Sequence, residues 1–190
     1  DIFREPQTHL WPLAEKHLYH QYHEHFEEVA PCLNRMRNEA SDEAGGAWGR
    51  IATLAVLSGH IEEDDLFQQL ESRNLTEAWL GASQVFAANL DQHLHDNLCI
   101  NGLRRILQKK NLGQNVYRSI EHAFDPKNHG RHLGPDVAFN FIDSIAPDDQ
   151  HFDLHTFLDW IADFSGKNPV AALDICERLA ERLGRMPTPY

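Results

Sequence analysis

GAWGRIATLAVL, residues 46–57, and EAWLGASQVFAANL, residues 77–90, decide the reading of this chain. Ala47-Trp48 in the first stretch recurs as Ala78-Trp79 in the second, each time within an apolar helical segment that follows a short polar loop. A period of about 30 to 45 residues built only from helices indicates a solenoid, in which no unit buries its own apolar face and each leans on its neighbours.

The rest of the chain repeats that character. Apolar residues fall at helical spacing in nearly every segment, with no run of alternating β-branched residues that would make a strand, so the expected fold class is all-α. A long first helix is expected to carry Trp11, Ala14, Leu18, Tyr22, Phe26, Val29 and Leu33 on one stripe, ended by the loop SDEAGG. Further helices are expected at 46–58, from Glu62-Glu63-Asp64-Asp65 through Leu70, at 75–90, and from an Asp96 N-cap through Leu98, Leu103 and Ile106.

Val116, Tyr117, Ile120, Ala123 and Phe124 mark the next helix, followed by the polar loop DPKNHGRHLG. Pro135 suits the first turn of a helix with Ala138, Phe141, Ile142 and Ile145 inside, and Leu154, Phe157, Leu158 and Ile161 mark another. In SGKNP, Gly166 is expected to end a helix in a left-handed conformation, Asn168 to cap the next and Pro169 to start it. That last helix is expected to bury Leu173, Cys176, Leu179, Ala180 and Leu183. The sum is an α-solenoid of about nine helices, a single helical-repeat domain over residues 1–190.

Composition narrows the functional class. Of the 190 residues, 42% are hydrophobic, enough for a domain that buries a core. No run reaches the roughly 18 apolar residues of a membrane span, and DIFREPQTHLW has no signal-peptide pattern, so the cytosol is expected. A net charge of -12 opposes binding to nucleic-acid phosphates. The densest basic group, Arg104, Arg105, Lys109 and Lys110, sits where a helix C-terminus favours cations in any case. Cys32, Cys99 and Cys176 form no CxxC pair and are read as core-filling residues, as are Trp11, Trp48, Trp79 and Trp160. The start at Asp1 and the end in RMPTPY read as cut from a longer, multidomain polypeptide.

The paired AWGRIATLAVLSG and AWLGASQVFAANL helices, with the closing FLDWIADFSGKNPVAALDICERLAERL, resemble the HEAT-like family of helical repeats. The closing segment also resembles a repeat unit from the C-terminal region of large bacterial proteins, NTPases of antiviral defence among them. The resemblance implies a sensing or scaffolding segment whose catalytic part lies elsewhere; no GxxxxGK[ST] is present.

Two chemical readings compete with a scaffold. His17, His20, His23 and His25 crowd the first helix, and with His20 and His23 facing solvent they offer an adventitious metal surface or a pH-responsive dimer face. His95-Asp96 resembles the His-Asp pair of the all-helical HD-type phosphohydrolases. His60 would then be an earlier ligand and Asp153, Asp159 or Asp163 a later carboxylate; such a set could hold a metal-activated water. Gly45-Gly46 could present backbone N–H groups to an anion, but also reads as a turn between helices. No GxSxG or nucleophilic cysteine context occurs. The reading adopted assigns no catalytic, cofactor-binding or metal residue. The expected function is recognition of a protein partner or of another domain of the same polypeptide, with the HD-type phosphohydrolase as the alternative.

Overall fold

The computed structural model describes residues 11–39, 41–73, 75–90, 95–109, 111–125, 133–145 and 153–184. Those residues are helical or in turns and contain no strand. Ten α-helices are described: α1 (Trp11–Gln21), α2 (Phe26–Asn38), α3 (Asp42–Leu57), α4 (Glu63–Arg73), α5 (Thr76–Ala88), α6 (Asp96–Gln108), α7 (Gln114–Glu121), α8 (Pro135–Ser144), α9 (Leu154–Ser165) and α10 (Pro169–Leu183). A 3-10 turn, His122–Phe124, extends α7. Contacts group the chain into two compact units, residues 1–85 and 86–190.

The first unit is organised by α3. Thirteen of its sixteen residues are buried, the pattern of a helix covered on all sides. It packs against α1, α2 and α4. Its N-terminus is set by Ser41, whose hydroxyl accepts from the Ala44 N–H at 3.2 Å, so SDEAGG is the cap and first turn of α3 and not a loop. Gly45 and Gly46 therefore lie inside the helix, which removes the turn role expected of them.

The absent side chains of Gly49 and Gly81 let α3 and α5 approach. A Cβ on Gly49 would run into the Ala78 carbonyl and lie 2.9 Å from its carbon; a Cβ on Gly81 would meet the Gly46 carbonyl oxygen and lie 2.9 Å from the Arg50 nitrogen. The two helices of the sequence repeat thus touch backbone to backbone. At the other end of α3, Gly59 takes φ +76, its N–H bonds Val56 O at 3.0 Å and the His60 N–H bonds Ala55 O at 2.8 Å. This double bond pattern satisfies the last carbonyls and stops the helix.

The long first helix expected from the sequence is two. The apolar stripe is continuous, but α1 ends at Gln21 and α2 begins at Phe26. Both halves pack on α3. An unbroken helix over residues 11–38 would be about 42 Å long and could not fold back onto a core helix of about 24 Å. Tyr and His around the break are mediocre helix formers, so little helical free energy opposes it.

In the second unit α6 and α10 both pack against α8, and α9 packs on α10 and on the 3-10 turn. Phe124, Phe141, Phe157 and Trp160 form the aromatic centre. The Phe124 ring lies 4.7 Å from Phe141, 4.9 Å from Phe157 and 5.1 Å from Trp160, the last two edge-to-face. Gly102 admits the Phe86 ring, which a Cβ would meet at 2.6 Å. Pro135 opens α8 as the sequence suggests, with Gly134, the last residue of the loop DPKNHGRHLG, at its N-cap. Gly166 is right-handed at φ -61, not left-handed, and Asn168 stands at the N-cap of α10 with no side-chain cap bond.

The α10 stripe is also corrected. Its buried residues are Ala172, Ile175 and Leu179, whereas Leu173, Cys176 and Ala180 are exposed. Leu158 on α9 is turned outward in the same way. Of the other expected core residues, Trp48, Trp79, Trp160 and Cys99 are buried; Cys32 is half-buried.

Candidate recognition surfaces and the histidine–aspartate residues

Arginines tie helices to the next helix but one. Arg50 on α3 bonds Glu15 on α1, its Nη2 donating to Oε2 at 2.7 Å, and donates from Nη1 to Gln84 on α5 at 3.4 Å. Glu15 holds the guanidinium pKa above its ordinary value. Arg37 on α2 donates to Gln69 on α4 at 3.2 Å. Arg73, the last residue of α4, donates to Glu39 O at 2.8 Å and Met36 O at 3.5 Å, satisfying carbonyls at the end of α2.

The second unit uses the same devices. Arg104 on α6 bonds Asp136 on α8 at 2.5 Å, and Arg178 on α10 grips Asp143 on α8 through two bonds of 2.9 Å. Arg182, near the end of α10, donates to Ile145 O at 2.9 Å, as Arg73 does for α2. Glu121 accepts from the Asp153 N–H at the start of α9. These links join residues 32 to 37 positions apart.

Two surfaces expose apolar side chains. Between α1 and α2 lies a groove of about 310 Å³ lined by Leu13, His17, Leu18, Val29 and Cys32, with Leu13 66% exposed. On α10, Val170 is 73% and Leu173 59% exposed, and Leu158 on α9 is 43% exposed. Beside that stripe a hollow of about 390 Å³ is lined by Phe139, Asp143, Asp174, Glu177, Arg178 and Glu181. The sequence reading missed both surfaces, because a stripe at helical spacing looks the same whether a neighbour covers it or not.

Of the residues of the phosphohydrolase alternative, His60 and Asp153 have structural tasks. His60 follows the left-handed Gly59 and donates its N–H to α3, and its exposed ring stacks on Phe26 at 4.5 Å and 3°. His95 occupies the N-cap position of α6 without a side-chain cap bond, and Asp96 is the first residue of the helix, not its cap. Asp153 is an N-cap: its Oδ1 accepts from the His155 and Thr156 N–H groups at 3.1 and 3.2 Å, and its Oδ2 from the Thr156 hydroxyl at 2.8 Å. Those donors hold its pKa below the usual carboxylate value, the hydroxyl most. Asp159 lies 3.7 Å from His155 on the surface, and Asp163 is exposed.

His17, His20, His23 and His25 are exposed, but not along one helix. His20 is in the last turn of α1, His23 falls in the break with Nδ1 3.4 Å from the Ser58 hydroxyl, and His25 stands at the N-cap of α2. Among the described residues no three His, Cys, Asp or Glu side chains gather where they could hold a metal ion. Within the basic group, Arg104 is paired with Asp136 and the Lys109 carbonyl accepts from the Tyr117 hydroxyl; Lys110 lies outside the described residues.

Compared with known proteins, the chain matches no family, no curated protein and no solved structure. Among the described residues no helix is long and apolar enough to cross a membrane.

Proposed function

We propose that this chain is a HEAT-like helical-repeat recognition module that binds a protein partner, or another domain of its own polypeptide, and performs no chemistry itself. One observation supports it above the others: the links from helix to next helix but one span 32 to 37 residues in both units. A stack of helix pairs produces that constant separation, because equivalent helices of successive pairs pack side by side. The Arg73 and Arg182 bonds, each reaching 37 residues back to the end of a helix, are the same joint used twice. Stacks of this kind act through extended surfaces, and with 29 acidic against 17 basic side chains this one suits a basic or amphipathic partner. By the resemblance of its closing segment, the module is the sensing part of a cytoplasmic bacterial defence protein.

Elemental analysis of protein purified without a histidine tag, together with hydrolysis of p-nitrophenyl phosphate and bis-p-nitrophenyl phosphate, separates this reading from an HD-type phosphohydrolase. The module carries no stoichiometric metal and hydrolyses neither ester. Near-stoichiometric iron, manganese or zinc that vanishes with His95→Ala and Asp96→Ala would replace it with the phosphohydrolase.

A further inference from the structure

α8 packs against both α6 and α10 and buries Val137, Ala138, Phe141 and Ile142, the Phe141 ring lying against Phe124 and Phe157. α10 packs against α8 and α9 and buries Ala172, Ile175 and Leu179. Arg178 and Arg182 mark the side turned to α8. At about 100° per residue, Leu173, Cys176 and Ala180 fall together on roughly the opposite side, and Val170 falls between Glu177 and Glu181. That stripe is exposed. Next to it around the helix come Asp174, Glu177 and Glu181, which line the hollow described above.

We propose that this face of α10 is the docking site for an amphipathic helix of a partner whose apolar stripe is flanked by basic residues, laid on α10 as α10 lies on α8. The inference rests on the recognition reading and names its surface. The apolar half of the interface continues the α6–α8–α10 packing. The basic flank follows from the joints inside the protein, where an arginine meets a carboxylate across adjoining helices, as Arg104 does Asp136 and Arg178 does Asp143. A second copy of the chain is a poor occupant. Pairing α10 with itself would bring Asp174, Glu177 and Glu181 of both copies together, and like charges on facing surfaces repel.

The test titrates the whole chain into two fluorescein-labelled 18-residue helical peptides followed by anisotropy. Both peptides carry one leucine–alanine stripe, flanked by arginines in one and by glutamates in the other. The arginine peptide binds at least tenfold more tightly than the glutamate peptide. Leu173→Asp weakens it tenfold or more, and Leu13→Asp in the α1–α2 groove leaves it unchanged. Leu173 is an exposed residue, and circular dichroism of L173D confirms that the helices remain. Equal binding of both peptides, binding indifferent to L173D, or no binding overturns the docking site. Arginine-peptide binding abolished by L13D instead overturns it too, but leaves the recognition reading standing on the other groove. Dimerisation of the free protein abolished by L173D would assign the face to a second copy.

Discussion

The backbone of Ala78 on α5 lies directly over Gly49 on α3, so close that no side chain fits between them. The two halves of the sequence repeat are in contact at their glycines. Close approach of the helices brings the Arg50 side chain within reach of Gln84, and the same arginine holds Glu15 on α1. The repeat is therefore a packing device, which accounts for its small residues as well as its apolar ones.

Gly49→Ala is expected to destabilise the protein by about 1–3 kcal/mol, since its methyl group meets backbone that cannot move aside and this outweighs the roughly 1 kcal/mol gained in helix propensity. Gly45→Ala provides the contrast. The nearest atoms to its methyl would be those of the Leu75 side chain, at 3.4 and 3.8 Å, and the Ala78 nitrogen at 3.9 Å, all at ordinary contact distance, so the propensity gain dominates and stability rises by about 0.5–1 kcal/mol. Urea unfolding of the two variants checks the pair. Similar behaviour would remove the close α3–α5 contact from the account.

Arg50 and Glu15 are expected to couple. Both side chains are partly exposed, at 34% and 21%, so solvent screening limits the pair to about 0.5–1 kcal/mol, as measured by a double-mutant cycle of Arg50→Gln with Glu15→Gln. Additive losses would mean that the link does not fasten α1 to α3.

Cysteine reactivity separates the three thiols. Burial, reinforced by Asp96, pushes the Cys99 thiol up to about 12, so at pH 8 it stays protonated and unreactive toward a thiol reagent until the protein unfolds. Cys176 is exposed and reacts first. In the unfolded chain the thiol ionises near pH 9, so the unfolded state binds fewer protons above that pH. Stability therefore falls from about pH 9 toward 12. Rapid modification of native Cys99 would contradict the burial of α6.

Asp153 is expected to show the opposite pH sense. Its native pKa is depressed by the Thr156 hydroxyl and the amides it caps, so its contribution is present above the unfolded carboxylate value, near 3.8, and is lost as pH falls through the native one. Asp153→Ala costs about 1 kcal/mol at pH 7 and less below pH 3. A loss equal at both pH values would place its role outside the cap.

Much of this fold is legible in the sequence because periodicity encodes it. The buried faces of α4, α5, α6 and α8 are those of the apolar stripes, and Pro135 and Pro169 stand at helix starts. What escapes is whatever depends on a distant neighbour. The break between α1 and α2 has no glycine or proline to announce it and follows from the demands of α3. Gly45-Gly46 resembles a turn until α5 is seen against it. Leu158, Leu173 and Ala180 have the spacing of core residues, and only their exposure reveals a surface.

Photo-crosslinking in cells tests the recognition reading most directly. A photoreactive amino acid is placed singly at four exposed positions, Leu13 beside the α1–α2 groove, Leu158 on α9, and Val170 and Leu173 on α10. The account predicts one discrete adduct, of constant mass, confined to neighbouring positions and strongest from Leu173. No adduct from any position, or the same diffuse adducts from all four, would contradict a protein whose function is to bind a partner.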